Sequence, residues 1–219
     1  MISPERFTDK LLELGVDFFT GVPDSLLKDF CAYIEDEYPN QKHVITANEG
    51  SALALATGYQ LASNKIPLIY LQNSGFGNAI NPLISLMDKK VYSIPALILM
   101  GWRGEPGKKD EPQHLKQGEV TIPLIKSMGI PFFVLENDEF NILKAIEDAI
   151  QITKNVNSPV ILLAKKGIFS PYKKRKKIND PKFKNLLSRE QAISLIISTL
   201  PKNSIFISST GYISRELYE

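Results

Sequence analysis

The sequence contains few of the residues that form disulfides and metal centres. Its 219 residues include one cysteine, Cys31, and two histidines, His43 and His114. A single cysteine excludes an internal disulfide and fits a reducing compartment. Three such residues cannot form a zinc site of the usual ligand spacing. We therefore expect no metal site in this stretch of sequence.

Long apolar segments are also missing. The longest apolar run, residues 94–100, is far shorter than the roughly 20 residues that a membrane-spanning helix needs. Residues 1–7 have no apolar core and do not resemble a secretory signal. The composition, 43% hydrophobic and 23% charged, is ordinary for a globular protein. These features predict a cytoplasmic protein without membrane contacts.

The net charge of +2 is unevenly distributed. Residues 165–189 hold ten of the 26 Lys and Arg but only one acid, Asp180. The basic run at residues 173–177 is compatible with a nucleic-acid patch or a localisation signal. It lacks interleaved aromatic residues and lies between Pro171 and Pro181, so we favour a solvated linker. We expect no nucleic-acid partner.

Strands and helices alternate through residue 164. Apolar strand patterns occur at residues 16–20, 43–47, 67–72, 94–100, 132–135 and 159–164, with helical patterns and no hairpin turns between them. This order predicts an α/β fold, a doubly wound and mostly parallel sheet with helices on both faces.

The alternation stops at a basic linker, residues 169–187, and starts again in residues 188–219. There we predict a capped helix over 188–200, a strand over 204–208 and a further helix that opens at 209–211. This second α/β unit is incomplete in the sequence, whereas residues 1–168 form a whole predicted domain.

The carboxyl ends of the predicted strands hold most of the polar chemistry. Ligands of doubly wound sheets bind at these ends, which are residues 21–25, 47–49, 72–78 and 101–118. Asp24 is predicted to cap the second helix. Residues 101–118 are predicted to form a long polar loop.

Glu49 lies at a strand-to-helix turn. Asn48 is a good N-cap, and Gly50, Ala54 and Gly58 recur every four residues on one helix face, where the absence of bulk lets another backbone approach. By position alone, Glu49 is an ordinary first-turn acid that the helix dipole stabilises. A functional carboxylate is the alternative.

Gly75 and Gly77 follow a predicted buried strand. Their spacing resembles the opening of a dinucleotide fingerprint, but Ile80 stands where the third glycine belongs. No ribose-binding acid follows at the right distance. A tight turn and a contact to another kind of cofactor are the alternatives, and we favour the cofactor contact.

Four motifs together resemble the phosphonopyruvate decarboxylases, and the related sulfopyruvate decarboxylases are the competing family. The motifs are GVPDSLLK (21–28), NEG (48–50), QNSGFGN (72–78) and the loop from GWRGEPG (101–107) to DEPQH (110–114). The resemblance covers residues 1–166 and continues through 209–217. It implies a thiamine-diphosphate-dependent 2-oxo acid decarboxylase. In such enzymes the first domain binds the aminopyrimidine of the cofactor, and a second domain binds its diphosphate through Mg²⁺.

The same resemblance implies residue roles. Glu49 matches the glutamate that protonates the pyrimidine ring nitrogen, and Asp24 and His114 match groups that handle the substrate proton. His114 remains open between this role and that of an exposed loop histidine. The implied cofactor-binding positions are Glu49, Asn73, Ser74, Gly75, Phe76, Asn78, Thr210 and Gly211. The implied substrate-binding positions are Asp24, Ser25, Arg103, Lys108, Gln113, His114 and Gln117.

A phosphonate dianion needs cationic or amide partners. Arg103, Lys108, Lys109 and Lys116 are the cations available in the polar loop, and the sequence does not choose among them.

The second domain of the family carries Gly-Asp-Gly followed by Asn, and no Gly-Asp-Gly occurs in this sequence. Tyr212 also stands where a lysine is expected. We therefore expect the Mg²⁺ and diphosphate site outside this sequence, on a second domain or a separate subunit. The family's site lies between subunits, which implies a homodimer or a higher oligomer.

The predicted reaction converts 3-phosphonopyruvate, a small-molecule substrate, to phosphonoacetaldehyde and CO₂. The alternatives are a sulfopyruvate decarboxylase-type subunit and an inactive fragment that only binds a partner.

Overall fold

The computed structural model describes residues 1–38, 41–175, 186–208 and 212–218. The chain divides into two compact units, Met1–Lys176 and Lys177–Glu219. The predicted positions Thr210 and Gly211 lie outside the described residues. No helix in the described ranges is long and apolar enough to cross a membrane.

Strands and helices alternate through the first unit, as predicted. In chain order they are α1 (Pro4–Glu13), β1 (Phe19–Gly21), α2 (Lys28–Glu37), β2 (His43–Ile45), α3 (Glu49–Ser63), β3 (Leu68–Gln72), a 3₁₀ turn (Asn73–Gly75), α4 (Phe76–Pro82), a π-helical turn (Leu83–Met87), β4 (Leu97–Gly101), α5 (Pro112–Ser127), β5 (Phe132–Leu135), α6 (Glu139–Val156) and β6 (Val160–Ala164).

Three helices of the first unit begin at a side chain that accepts a hydrogen bond from a free amide. Ser3 accepts a hydrogen bond from the Arg6 amide at 3.1 Å, and Pro4 occupies the first position of α1. Asn48 caps α3 through the Ser51 amide at 2.9 Å. Asp138 caps α6 in the same way. The predicted cap at Asn48 is confirmed.

The six strands form one parallel sheet in the order β2-β1-β3-β4-β6-β5. This confirms the doubly wound α/β prediction. The chain leaves β1 toward β2 and then returns to place β3 on the other side of β1. The loops after β1 and β3 therefore diverge, and such a reversal leaves a crevice at the carboxyl ends of the strands.

Each face of the sheet covers its own hydrophobic core. In β3, Leu68 and Tyr70 point into the core that contains residues of α1, α2 and α6. Ile69 and Leu71 point into the opposite core, which contains residues of α3, α4 and α5. Strands buried on both faces are nearly continuously apolar, which explains the strand patterns in the sequence.

Two local predictions near the crevice are wrong. The polar loop ends at Glu111, and α5 begins at Pro112, because proline at the first helical position favours a helix start. Asp24 does not cap α2, which begins at Lys28 after Leu27. Its carboxylate instead accepts from the Leu26 amide at 3.2 Å, within the turn before the helix.

The first unit continues past residue 168, where the linker was predicted to begin. Phe169 stacks on Phe30 at a centroid distance of 5.5 Å. The Tyr172 amide donates to Asp29 at 3.0 Å, and Lys174 pairs with Glu35 at 2.7 Å. The beginning of the basic segment therefore lies against the acidic side chains of α2.

The second unit contains α7 (Arg189–Thr199) and α8 (Tyr212–Tyr218). Ser188 and Gln191 form a capping box at the start of α7, which confirms the capped helix. The predicted strand at residues 204–208 is wrong, since those residues are described without strand structure. A strand needs a neighbouring strand for its backbone hydrogen bonds, and the described part of this unit contains none.

Candidate active site

Glu49 is a buried carboxylate at the start of α3, with 9% of its surface exposed. Asn78 on α4 donates to Glu49 Oε2 at 2.9 Å. Gly75, in the turn after β3, lies directly beneath Oε1, and a Cβ at this glycine would lie 1.9 Å from that oxygen. The turn after β3 therefore holds the carboxylate by a close backbone approach that a larger residue would prevent.

The predicted row of small residues on α3 makes one such contact. A Cβ at Gly50 would lie 3.2 Å from the Asn78 carbonyl oxygen. Gly58 has no described atom within 4 Å of a built Cβ, and Ala54 is exposed. Within the described chain, close packing of this row of small residues is thus confined to the first turn of the helix, at Gly50.

Asp24, after β1, is the second buried carboxylate and is 4% exposed. A Cβ at Gly101, the last residue of β4, would lie 1.7 Å from Asp24 Oδ2. Burial raises the pKa of Asp24 to about 6, against the opposing effects of the Leu26 amide and the Arg103 charge. Asp24 can therefore exchange a proton near neutral pH.

Arg103 connects the turn after β1 with the loop after β4. Its Nε and Nη2 bond to Asp110, and its Nη1 donates to Ser25 Oγ at 2.8 Å. The hydrogen bonds from Arg103 hold the pKa of Asp110 well below its usual range. Asp110 also accepts a hydrogen bond from the Gly104 amide at 2.7 Å. Asp110 therefore holds the later part of the loop against its beginning at Arg103 and Gly104.

Asn73, fully buried at the end of β3, fixes the backbone of Arg103. Its Nδ2 donates to the Arg103 carbonyl at 2.8 Å, and its Oδ1 accepts from the Arg103 amide at 3.0 Å. The same Nδ2 donates to Thr121 Oγ1 at 2.9 Å, and Gln117 Nε2 donates to the Asn73 carbonyl at 2.9 Å. Asn73 and Gln117 thus connect β3, the polar loop and α5.

His114 lies in the first turn of α5 and not in a loop. Burial, and then the charge of Arg103, lower the pKa of His114 below its ordinary value. The α5 backbone lies against the loop at Gly104 and Gly118, where a Cβ on Gly118 would lie 1.7 Å from the Gly104 carbonyl oxygen. This contact fixes the start of α5 beside Arg103.

The other predicted site residues differ in exposure. Phe76 is fully buried in the core with α3 and α5, so only its backbone can face the crevice. The remaining predicted side chains are exposed, namely Ser25, Ser74, Asn78, Lys108 and Gln113.

Buried polar atoms without a described hydrogen-bond partner occur at these strand ends. They include Asp24 Oδ2, Gln72 Oε1 and His114 Nδ1. Buried polar groups are normally satisfied, so a group of unsatisfied atoms indicates a place where a ligand or water binds. Gln72 was absent from the predicted site residues, although it ends the strand before the Gly75 turn.

Two further residues were missed. Asp110 holds Arg103, and Thr121 bonds Asn73. Spacing along the sequence gives no signal for either contact, because each depends on how the loop folds back.

The family model of the N-terminal TPP-binding domain of thiamine pyrophosphate enzymes matches residues 4–124, more than half of the chain. The chain belongs to this family of thiamine pyrophosphate enzymes.

Three proteins illustrate its relatives. Sulfopyruvate decarboxylase subunit alpha of Methanococcus maripaludis is 35% identical over 163 residues, which are 74% of this chain and 94% of that subunit. Phosphonopyruvate decarboxylases of Streptomyces viridochromogenes and Streptomyces hygroscopicus are 27% and 30% identical, and both alignments cover 100% of this chain. The chain spans 57% and 56% of the length of these two enzymes.

The residues around Glu49 fit the pyrimidine half of a thiamine pyrophosphate cofactor. A buried carboxylate can share a proton with a ring nitrogen, and the Gly75 backbone forms the floor on which that carboxylate lies. For the diphosphate half, the described residues contain no group of three or more His, Cys, Asp or Glu side chains that could hold a metal ion.

Proposed function

We propose that this chain provides the pyrimidine-binding part of a thiamine-diphosphate-dependent decarboxylase that acts on 3-phosphonopyruvate. The main support is the pair of buried carboxylates, Glu49 and Asp24, at the carboxyl ends of two neighbouring strands of a thiamine pyrophosphate enzyme domain. Such a pair provides one group for the cofactor and another for the substrate proton.

Glu49 binds the aminopyrimidine, and its carboxyl shares a proton with the ring nitrogen. Asn78 and Gly75 keep the Glu49 side chain in one position for this contact. When bound, thiamine diphosphate supplies a nucleophilic carbon and accepts the electron pair left by departing CO₂.

Asp24 provides the proton. Decarboxylation of a 2-oxo acid anion to an aldehyde and CO₂ consumes one proton, which must reach the carbon that has lost its carboxylate. A carboxyl with a pKa of about 6 holds a proton in part of the population near neutral pH and recovers it from solvent. Burial and the Arg103 charge lower the pKa of His114, and its buried Nδ1, which has no described partner, donates or accepts a hydrogen bond according to the ring tautomer.

Phosphonopyruvate is the first candidate because both phosphonopyruvate decarboxylase alignments extend over the whole chain, including the second unit. Sulfopyruvate is the second candidate, because the archaeal alpha subunit has 35% identity and is matched over 94% of its length. Both substrates are three-carbon 2-oxo acids with an anionic tetrahedral head group.

The diphosphate and Mg²⁺ are held by a second domain or a partner subunit, in an assembly with at least two pyrimidine-binding units. The sequence has no Gly-Asp-Gly motif, and the described residues contain no cluster of His, Cys, Asp or Glu side chains that could hold Mg²⁺. We therefore expect the 219-residue chain alone to bind thiamine and thiamine diphosphate with similar affinity. Calorimetric titration of both ligands with Mg²⁺ measures this, and a clear preference for the diphosphate would contradict the division of the site.

The reaction is tested by combining the chain with a diphosphate-binding partner subunit and thiamine diphosphate. CO₂ release and aldehyde formation are measured separately with 3-phosphonopyruvate, sulfopyruvate and pyruvate. We expect the highest kcat/KM with phosphonopyruvate. Preference for sulfopyruvate would establish the second candidate, and inactivity with all three would reject the decarboxylase.

A further inference from the structure

A cavity of about 740 Å³ lies at the carboxyl ends of β4, β5 and β6. Trp102 lines it together with Ser25 and Leu26 from the turn after β1. The Trp102 amide bonds to the Ala164 carbonyl at 2.9 Å, and its indole Nε1 donates to the Gly118 carbonyl at 3.0 Å. These contacts give the cavity a rigid wall.

The charged residues of the cavity are unequally paired. Its three acids are all occupied, because Asp110 binds Arg103, while Glu105 and Glu136 bind Lys165 at 3.4 and 2.7 Å. Three further lysines line the cavity without an ion pair in the described part of the chain, namely Lys108, Lys109 and Lys166. Five cations and three acids line the cavity, so its net charge is positive, and the unpaired lysines carry the excess.

Arg103 cannot supply a free cation in this arrangement. All three of its guanidinium nitrogens already bond to Asp110 or to Ser25. Its role is to build the wall between the cavity and the turn that carries Asp24. The unpaired lysines remain available to a ligand, and lysine is a flexible point charge that suits a tetrahedral anion.

The cavity adjoins the proton-handling carboxylate. Ser25 follows Asp24 directly, and Leu26, which also lines the cavity, donates its amide to Asp24. In the proposed substrates a single methylene separates the anionic head group from the carbonyl carbon. A head group at the cavity mouth would thus keep the carbonyl carbon near Asp24.

We infer that Lys108, Lys109 and Lys166 bind the anionic head group of the substrate, a phosphonate or a sulfonate. This inference rests on the proposed function. It selects Lys108 and Lys109 from the cations of the polar loop and adds Lys166, which lies after β6. A phosphonate dianion gains more from three ammonium groups than a sulfonate monoanion does.

Binding is tested with the full chain and two stable probes, 3-phosphonopropionate and 3-sulfopropionate, by calorimetry at low ionic strength. The variants are Lys166→Ala and the double variant Lys108→Ala with Lys109→Ala. We expect each to weaken 3-phosphonopropionate binding by about three- to tenfold, with a smaller loss for the sulfonate. Lys166→Arg should retain most of the affinity, because it keeps the charge.

Lys116→Ala is the matched control, since this lysine is exposed on α5 and pairs with Glu119 at 3.0 Å away from the cavity lining. It should leave the affinity unchanged. Unaltered affinity in both lysine variants, an equal loss in the control, or no binding by the parent chain would each overturn the head-group site.

The outcome separates this inference from the proposed function. Weaker probe binding in the lysine variants, together with a complete assembly that decarboxylates none of the substrates, would keep the anion site and reject the decarboxylase. Active decarboxylation with unchanged probe affinity and unchanged KM in the variants would keep the decarboxylase and reject the anion site.

Discussion

Glu49 and Asp24 are buried in similar ways but have different hydrogen-bond partners. Each carboxylate lies over a glycine, Gly75 for Glu49 and Gly101 for Asp24, at a distance that no Cβ would permit. Glu49 receives the Asn78 amide at one oxygen. Asp24 has one oxygen bonded to the Leu26 amide, and its Oδ2 has no described partner.

The same packing arrangement, a glycine against a buried carboxylate, is therefore compatible with both a fixed contact and proton exchange. A glycine beneath each carboxylate fixes its position, whereas the donors around it determine how readily it holds a charge. At Asp24 burial outweighs the Leu26 hydrogen bond and the Arg103 charge, and the pKa rises to about 6. We therefore assign the fixed contact to Glu49 and the mobile proton to Asp24, and the following variants test that division.

The largest effect is expected for Glu49→Gln. The amide keeps the shape of the side chain but cannot share a proton with a ring nitrogen. Turnover of the complete assembly should fall by about 10²–10⁴-fold, the usual size for a general acid–base group. Steady-state rates measure it, with Glu139→Gln, an exposed first-turn acid of α6, as the control. A Glu49→Gln variant within threefold of the parent rate would remove Glu49 from the mechanism.

Gly75→Ala should have the next largest effect, because its Cβ would lie 1.9 Å from Glu49 Oε1. The carboxylate must move, and a displacement of about 1 Å costs on the order of 10²-fold in rate. The Asn78 hydrogen bond to Glu49 would be disturbed as well, so a stability loss of about 1–2 kcal/mol should accompany the fall in rate. Gly77→Ala is the control, because nothing described lies within 4 Å of its built Cβ. Equal rates for the two variants would contradict the positioning role of Gly75.

Sequence patterns predicted the sheet and the cap at Asn48 because both depend on local features. Apolar runs identify strands buried on both faces, and Asn48 stands directly before its helix. The motifs also singled out Asp24 and Glu49, which are buried carboxylates in the structure and whose roles stay predictions. The start of α5 at Pro112 and the turn at Asp24 were mispredicted, although proline gave a usable signal for the helix start.

The cavity and its supports could not be predicted from spacing. Lys166 lies 58 residues from Lys108 in the sequence and reaches the same cavity only because β6 lies beside β4 in the sheet. Likewise, the hydrogen bonds between the Asn73 side chain and the Arg103 backbone form because β3 and β4 are neighbours in the sheet. Such contacts follow from the strand order, which cannot be inferred from the spacing of residues along one sequence.

Asp24→Asn should alter the pH dependence of stability. The folded protein binds this proton with a pKa of about 6, against an ordinary aspartate pKa of 3.8. Below about pH 4 both states are protonated, so the free energy of unfolding falls as the pH rises from about 4 to about 6. The asparagine cannot ionise and should avoid a loss of about 2–3 kcal/mol at pH 7. Urea unfolding from pH 4 to pH 7 measures the difference.

Asp17→Asn provides the contrasting control for that measurement. Burial would raise the pKa of Asp17, but hydrogen bonds from Lys42, Tyr59 and Lys65 outweigh it and hold the pKa below its usual range. Asp17 therefore stabilises the fold above the unfolded pKa, and its asparagine variant should lose stability at pH 7. A parent curve without the fall between pH 4 and 6, or a less stable Asp24→Asn variant at pH 7, would contradict the account of Asp24.

The smallest effect is expected for Asn78→Ala, which removes the amide donor from Glu49 and so makes the two carboxylates more alike. The loss of one hydrogen bond to a buried carboxyl group should cost about 1–2 kcal/mol of unfolding free energy. Asn81→Ala is the control, because Asn81 lies on the same helix and bonds only to the exposed Ser85 side chain among the contacts described for it. If both variants lose the same stability, Asn78 contributes as a helix residue and not as the partner of Glu49. A specific loss for Asn78→Ala would show that the donor, and not the glycine beneath it, distinguishes the Glu49 region from that of Asp24.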